Sequence, residues 1–190
     1  MSSIATEFLR WSIDTFRSQK YLAERAITQL DDAQIHQTLH PETNSVAVIM
    51  KHMAGNMHSR WTDFLTSDGE KPDRHRDAEF IDDIGGHDEI MAQWEAGWAC
   101  LFDAMEVLSV EDLDRTVTIR GHAHSVPHAI LRQISHYGYH VGQIVQLARA
   151  LVGDDPWVTL SIPRGGSEEF NESSWGKPYR PHHDDGSEAE

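Results

Sequence analysis

Two histidines four residues apart, His136 and His140, stand in the segment His136-Tyr137-Gly138-Tyr139-His140-Val141-Gly142-Gln143-Ile144. On a helix, four residues turn about 400°, which leaves the two side chains about 40° apart and one turn up. Both imidazoles can then meet one cation. A third histidine from another helix would complete a three-histidine face with open coordination positions, the arrangement of a reactive metal site more than of a closed structural one. His52, far upstream among Ile49, Met53 and Asn56, is placed to face inward on its own helix. A histidine between apolar helical positions also serves as a hydrogen-bonded core residue, so the residues by themselves leave the third ligand open. His58, six positions on, lies about 240° around and cannot share the face of His52.

Spacing alone does not single out this pair. The chain holds 13 histidines, and random placement gives roughly one His-x-x-x-His pair. Three occur: His36/His40, His124/His128 and His136/His140. Pro41 disfavours helix at the residue before it, which removes His36/His40 from a helix interior. Pro127 suits a first helical turn, so His124/His128 straddles an element boundary. Only His136/His140 lies wholly inside a strong helical pattern. Gln143, three beyond His140, lies on the adjacent face, where it can orient a ligand or hold a water behind it. Gly138 and Gly142 remove bulk and would let another helix come close. No nucleophile triad stands out: Cys100 beside Leu101 reads as a small buried hydrophobe, and Ser135 points elsewhere on its helix. The run His182-His183-Asp184-Asp185 reads as a solvated tail.

Four long helices and one hairpin must position these residues. Ile4, Phe8, Trp11, Leu22, Ala26 and Leu30 mark an amphipathic helix over about 4–30, with a further short helical turn starting near Leu30–Ile35. Asn44 or Ser45 caps a second long helix, about Val46–Thr66. Residues 67–86 form a long polar connection, and a loop of this length in a compact domain is functional or mobile. Ile90, Trp94, Trp98 (or Gly97), Leu101, Met105 and Leu108 alternate by four and three, the seam of a bundle helix. Val117–Val126 reads as a β-hairpin with Gly121 in its turn. The last long helix covers about Pro127–Leu151, with Asp154 and Asp155 at its solvated end. Residues 157–172 are expected to pack back along the helices through Trp157, Leu160 and Ile162. From about Ser173 the chain is polar and expected to be disordered. The domain is thus read as 1–172 and an acidic tail as 173–190.

A chain of 190 residues fits one domain with a real core. No apolar run is long enough to span a bilayer, and the Met1-Ser2-Ser3-Ile4 start lacks the marks of a secretory signal. A lone cysteine, Cys100, fits a reducing cytoplasm. With 16 Lys and Arg against 31 Asp and Glu, the formal charge is −15. Such a surface repels phosphate backbones and anionic lipid. Along the sequence the basic residues are scattered, and the densest stretch, Lys71 to Arg76, is interleaved with acids. Neither a nucleic-acid nor a membrane partner is expected.

The order of motifs resembles the DinB-like superfamily. It consists of a capped helix bearing Lys51-His52-Met53-Ala54-Gly55-Asn56, a tryptophan-rich third helix, then His136-x-x-x-His140-x-Gly142-Gln143-Ile144. Ser59–Leu65, Asp68–Pro72 and Ser161–Gly166 are similar to one uncharacterised branch of it, and the similarity runs nearly to Asn171. The resemblance implies an all-α four-helix bundle, with the short β-hairpin before the fourth helix, usually a homodimer. It also implies a divalent metal (zinc, nickel or iron) on His52, His136 and His140. Relatives of this kind include S-transferases and isomerases that use low-molecular-weight thiols. Three neutral imidazoles leave open positions on such an ion, and a water or thiol bound there loses its proton more easily. Asn56 and Arg60, one and two turns beyond His52, are candidates for substrate contact with Gln143. Arg60 can equally pair with an acidic neighbour. The expected function is a metal-dependent enzyme acting on a small molecule, either a transferase that uses a low-molecular-weight thiol or a hydrolase. The rival readings are a metal-binding stress-response protein without catalysis, and a protein-interaction module.

Overall fold

The computed structural model describes residues 3–153, 156–179 and 181. The chain is mostly helical, with one two-stranded hairpin. Helix α1 covers Ile4–Ile27, with the Ser3 hydroxyl accepting from the Thr6 N–H. It ends three residues short of the expected stop because Asp31 starts a new helix. Asp31 and Gln34 form a reciprocal capping box for the short α2, Asp32–His36. Ser45 caps α3, Val46–Trp61. This helix was expected to run to Thr66, but Thr62 turns extended and Asp63 adopts a φ of 50°, a conformation no helix continues through. Helix α4 is His87–Glu106, and α5 is Val126–Val152 with Ser125 as its cap and Pro127 in its first turn. A last helix, α6, spans Ser167–Ser174.

Helix α3 packs on α4 and α5, while α1 packs on α5 and α4. The apolar stripes of these helices meet in one core. Phe16, Trp61, Trp98 and Tyr137 form its aromatic centre, with ring centroids 5.8 Å apart for Phe16–Trp61 and 5.9 Å for Trp98–Tyr137. Met50, Met53 and Met57 are fully buried beside it, each contributing roughly 1.5–3 kcal/mol by leaving water. The close helix approach occurs at Gly97, where a Cβ would stand 2.9 Å from the Ala54 Cα. Gly138 and Gly142 do not supply it. A Cβ on Gly138 would meet only the Gln19 amide, and one on Gly142 would meet nothing within 4 Å.

Strands β1, Thr116–Ile119, and β2, His122–Ser125, pair antiparallel with Ile119 opposite His122. Arg120 and Gly121 turn the hairpin with φ of 55° and 73°, the two positive values that a tight two-residue turn needs. Asp68 holds that turn, accepting from the Arg120 and Gly121 N–H groups at 2.8 Å each. The Gly69 N–H donates to the Thr118 carbonyl, also at 2.8 Å. The polar connection after α3 is thereby fastened to the hairpin, and it contains a 3-10 turn at Arg76–Phe80.

After α5 the chain returns over α1, where the Val158 N–H donates to Gln29. Trp157 and Leu160 rest on the core as expected, while Ile162 is 40% exposed. The pair Asp154–Asp155, the His182–Asp185 run and most of the acidic tail lie outside the described residues. Among the described residues, no helix is long and apolar enough to cross a membrane.

Candidate metal centre

Helices α3 and α5 each carry a ladder of residues spaced by four. On α3 the ladder is His52, Asn56 and Arg60; on α5 it is Arg132, His136 and His140. The two ladders face each other in opposite chain directions. At one end the His52 ring stands 5.5 Å from that of His136 and 4.9 Å from that of His140. At the other end the charges of Arg60 and Arg132 act on one another.

The three histidines converge. Their ligand atoms all lie within 4.8 Å of one another, and among the described residues they are the group of three or more His, Cys, Asp or Glu that does so. His136 Nε2 and His140 Nε2 are 3.2 Å apart, close to the separation of about 3.3 Å that tetrahedral zinc–nitrogen bonds impose. The back nitrogens of two rings are engaged elsewhere. His52 Nδ1 meets Glu79 Oε2 at 2.9 Å, and His140 Nδ1 meets Gln143 Oε1 at 2.8 Å. An Nδ1–H donated to either oxygen leaves the Nε2 lone pair free for an ion, which is how metal-binding histidines are oriented. The donor set therefore fits a divalent ion such as zinc, nickel or iron. Burial pushes the His136 imidazolium down to about 3, with the nearby His140, His52, Arg132 and Arg60 acting in the same direction. Burial lowers His140 as well, with His52 adding to it. Both rings are thus neutral at physiological pH, the form a metal requires.

Glu79 was not anticipated from the sequence. It sits in the 3-10 turn and is 7% exposed. Arg74 clamps it through Nε to Oε1 at 2.7 Å and through the second guanidinium nitrogen to Oε2 at 2.8 Å. Burial alone would raise its carboxyl, but the hydrogen bonds from His52 and Arg74 outweigh burial and hold it below the usual range. Gly55 makes room for it, since a Cβ there would lie 2.6 Å from Glu79 Oε1. The available signal was the length of the polar connection, too long to be a passive link.

Beside the histidines opens a cavity of about 300 Å³, lined in part by His52, Asn56 and His136. Five arginines also line it: Arg60, Arg74, Arg76, Arg120 and Arg132. Five of the basic residues that look scattered along the chain are therefore a cluster in space. Of the residues expected to contact substrate, Asn56 and Arg60 line the cavity. Asn56 Oδ1 accepts from the Tyr137 hydroxyl at 3.0 Å, and that hydroxyl accepts from Trp61 Nε1 at 3.1 Å. Arg60 is 4% exposed and pairs with Glu70 at 3.0 Å, the acidic neighbour anticipated for it. Gln143 stands behind His140. The other histidine pairs lie apart from this centre: His36 meets Asp82 and the Gly85 carbonyl, and His124 stacks near His128. Cys100 is half-buried, with its thiol 3.5 Å from the Thr62 hydroxyl.

No curated protein and no solved structure matches the chain. A family model described as a protein of unknown function, DUF1572, matches residues 3–166 and so takes in all three histidines, the arginine-lined cavity and the four long helices. The chain belongs to that family.

Proposed function

We propose that the protein is a divalent-metal-dependent enzyme of the DinB-like kind, acting on a small molecule with a low-molecular-weight thiol as co-substrate. The observation that carries this reading is the convergence of three imidazoles, two of them with their back nitrogens held by Glu79 and Gln143, at the wall of a cavity. The pairing of α1, α3, α4 and α5 supports a four-helix bundle. The resemblance of the His52 and His136–Ile144 motifs supplies the thiol, the transferase chemistry and the homodimer. The lone cysteine agrees with a cytoplasmic setting.

An ion on the three imidazoles would supply Lewis acidity, lowering the pKa of a group bound in its open positions. The chain's own residues do the rest. Glu79, locked by Arg74, orients His52. Gln143 orients His140 in the same way. Asn56, fixed by Tyr137, presents a polar wall one turn from His52. Neutral His136 competes with no proton for its ligand.

The test is metal content by elemental mass spectrometry on untagged protein, with His52→Ala and His136→Ala/His140→Ala alongside. The reading expects about one divalent ion per chain in the wild type and none in either variant. Loaded protein is then assayed for metal-dependent consumption of cysteine with a chloronitroarene or an epoxide. A wild type that takes up no zinc, nickel or iron refutes the reading. Stoichiometric metal without turnover on any such pair leaves a metal-binding protein and refutes the enzyme.

A further inference from the structure

The chain carries a formal charge of −15, yet five of its arginines converge on one cavity whose lining contains no carboxylate. They come from four separate segments: Arg60 from α3, Arg74 and Arg76 from the connection after it, Arg120 from the hairpin turn, and Arg132 from α5. Like charges crowd in this way at a cost unless something opposite neutralises them. The chain's own acids do so only partly. Glu70 is shared by three of the five, with Arg60 at 3.0 Å, Arg120 at 3.1 Å and Arg74 at 3.3 Å. Of the five arginines, Glu79 pairs with Arg74. Arg76 stacks over Phe80 at 4.9 Å and, among the described residues, pairs only with the fully exposed Asp77, at 3.7 Å.

Not all five are equally free for a ligand. Arg60 lines the cavity, but its terminal nitrogens donate to Ser59, the Gly69 carbonyl and Glu70, and its unpartnered Nε is enclosed, so it contributes charge more than open donors. Arg132, exposed at the cavity wall, makes no ion pair among the described residues. Arg132 stands on the same face of α5 as His136, one turn away, and Arg60 stands on the face of His52, two turns away. The positive end and the histidine end therefore belong to one cavity.

We infer that this cavity is an anion-binding pocket, and that the small-molecule substrate carries a phosphate or carboxylate group held by Arg132, with Arg76 and Arg120 at the rim and the buried charge of Arg60 behind them. Planar guanidiniums presenting paired donors suit both of these oxyanions. The assignment rests on the metal reading only for which end of the bound molecule reacts; the anion subsite stands on the arginines alone.

The experiment is isothermal titration of metal-free protein with inorganic phosphate, pyrophosphate and succinate at low salt, in wild type, Arg132→Gln and Arg120→Gln. Both substituted side chains are exposed or half-exposed, so the variants should fold, and circular dichroism checks this. Saturable binding of at least one probe is expected, weakened about tenfold by Arg132→Gln, the size of one lost charge-assisted hydrogen bond, and weakened by added salt. Binding of the phosphates alone or of succinate alone names the headgroup. The inference is overturned if no probe saturates, or if both variants bind within twofold of wild type. Zinc content of the same proteins is measured in parallel. Arginine-dependent anion binding without zinc uptake would sink the metal reading alone; zinc uptake without anion binding would sink the pocket alone.

Discussion

Replacing Glu79 with glutamine isolates the part of the centre that lies behind the ligands. Glutamine keeps the size of the side chain and one acceptor, but removes the charge that draws the proton of His52 Nδ1. Loss of such an outer partner lowers metal affinity about 10- to 100-fold, which is about 1.4–2.8 kcal/mol. The same change strands Arg74, whose side chain is 5% exposed. Breaking a buried pair outright costs about 3–5 kcal/mol. Here Glu70 still reaches Arg74 at 3.3 and 3.5 Å, so a loss of about 2 kcal/mol is expected.

Zinc affinity is read by competition against a chelating dye, and stability by urea unfolding of the metal-free protein. Gly55→Ala offers an independent route to the same effect. Its Cβ would collide with Glu79 Oε1, and because Arg74 and His52 grip that carboxylate, yielding displaces it from His52. Gly55→Ala is therefore expected to weaken zinc several-fold in a protein that keeps its Glu79. Zinc affinity within twofold of wild type in a folded Glu79→Gln protein would refute the reasoning. It would mean that the Glu79–Arg74 pair only anchors the connection after α3.

Tyr137→Phe leaves the Trp61 N–H and Asn56 Oδ1 unpaired in the core; a loss of about 1–3 kcal/mol with zinc affinity unchanged is expected by urea unfolding and dye competition, separating stability from metal binding. Gly97→Ala forces its Cβ against the α3 backbone at Ala54 and should cost about 1–3 kcal/mol, visible as a lowered thermal midpoint. Asp68→Asn tests the clasp on the hairpin turn. Backbone N–H groups of Glu70, Gly121 and Arg120 hold the Asp68 carboxyl down to about 2, from an ordinary 3.8. Because the folded value lies below the unfolded one, the stabilisation is present above pH 3.8 and is lost as pH falls through about 2. Thermal midpoints of wild type and Asp68→Asn should therefore differ at pH 7 and converge towards pH 2; a gap that persists there would mean the carboxylate is not the clasp.

What was legible in the sequence is what depends on local chemistry. Pro127 announces the start of α5, Gly121 the hairpin turn, and the four-and-three alternation of Ile90 to Met105 the buried face of α4. The pairing of His136 with His140 follows from helix geometry once Pro41 and Pro127 set the other two pairs aside. The end of α3 was not legible, because nothing in Thr62-Asp63 signals that an aspartate will adopt a positive φ. Glu79 was hidden among acids in a polar stretch. Its role depends on Gly55, twenty-four positions earlier, leaving space for it on α3. The arginine cluster escaped a linear reading for the same reason, since α3, the connection, the hairpin turn and α5 contribute one or two members each. The ladder His52–Asn56–Arg60 was visible; its counterpart Arg132–His136–His140 has the same spacing and would have exposed the arginine end.

Those two ladders also bound the size of what the cavity holds. From His136 to Arg132 is one helical turn, a rise of about 6 Å, and from His52 to Arg60 is two turns, about 12 Å. A ligand that touches the histidine end and the arginine end together must therefore separate its reacting atom from its anionic group by a distance of that order. Free phosphate is too short to do both, so it should bind at the arginines without competing for the histidines. Pyrophosphate or a longer dicarboxylate bridges more of the gap. Anion affinity in zinc-loaded protein should accordingly rise with the spacing between the two ends of the probe, up to the length the cavity of about 300 Å³ admits. If affinity instead ignored spacing and followed charge alone, the two ends would be separate sites, and the arginines would be serving a partner other than the molecule at the histidines.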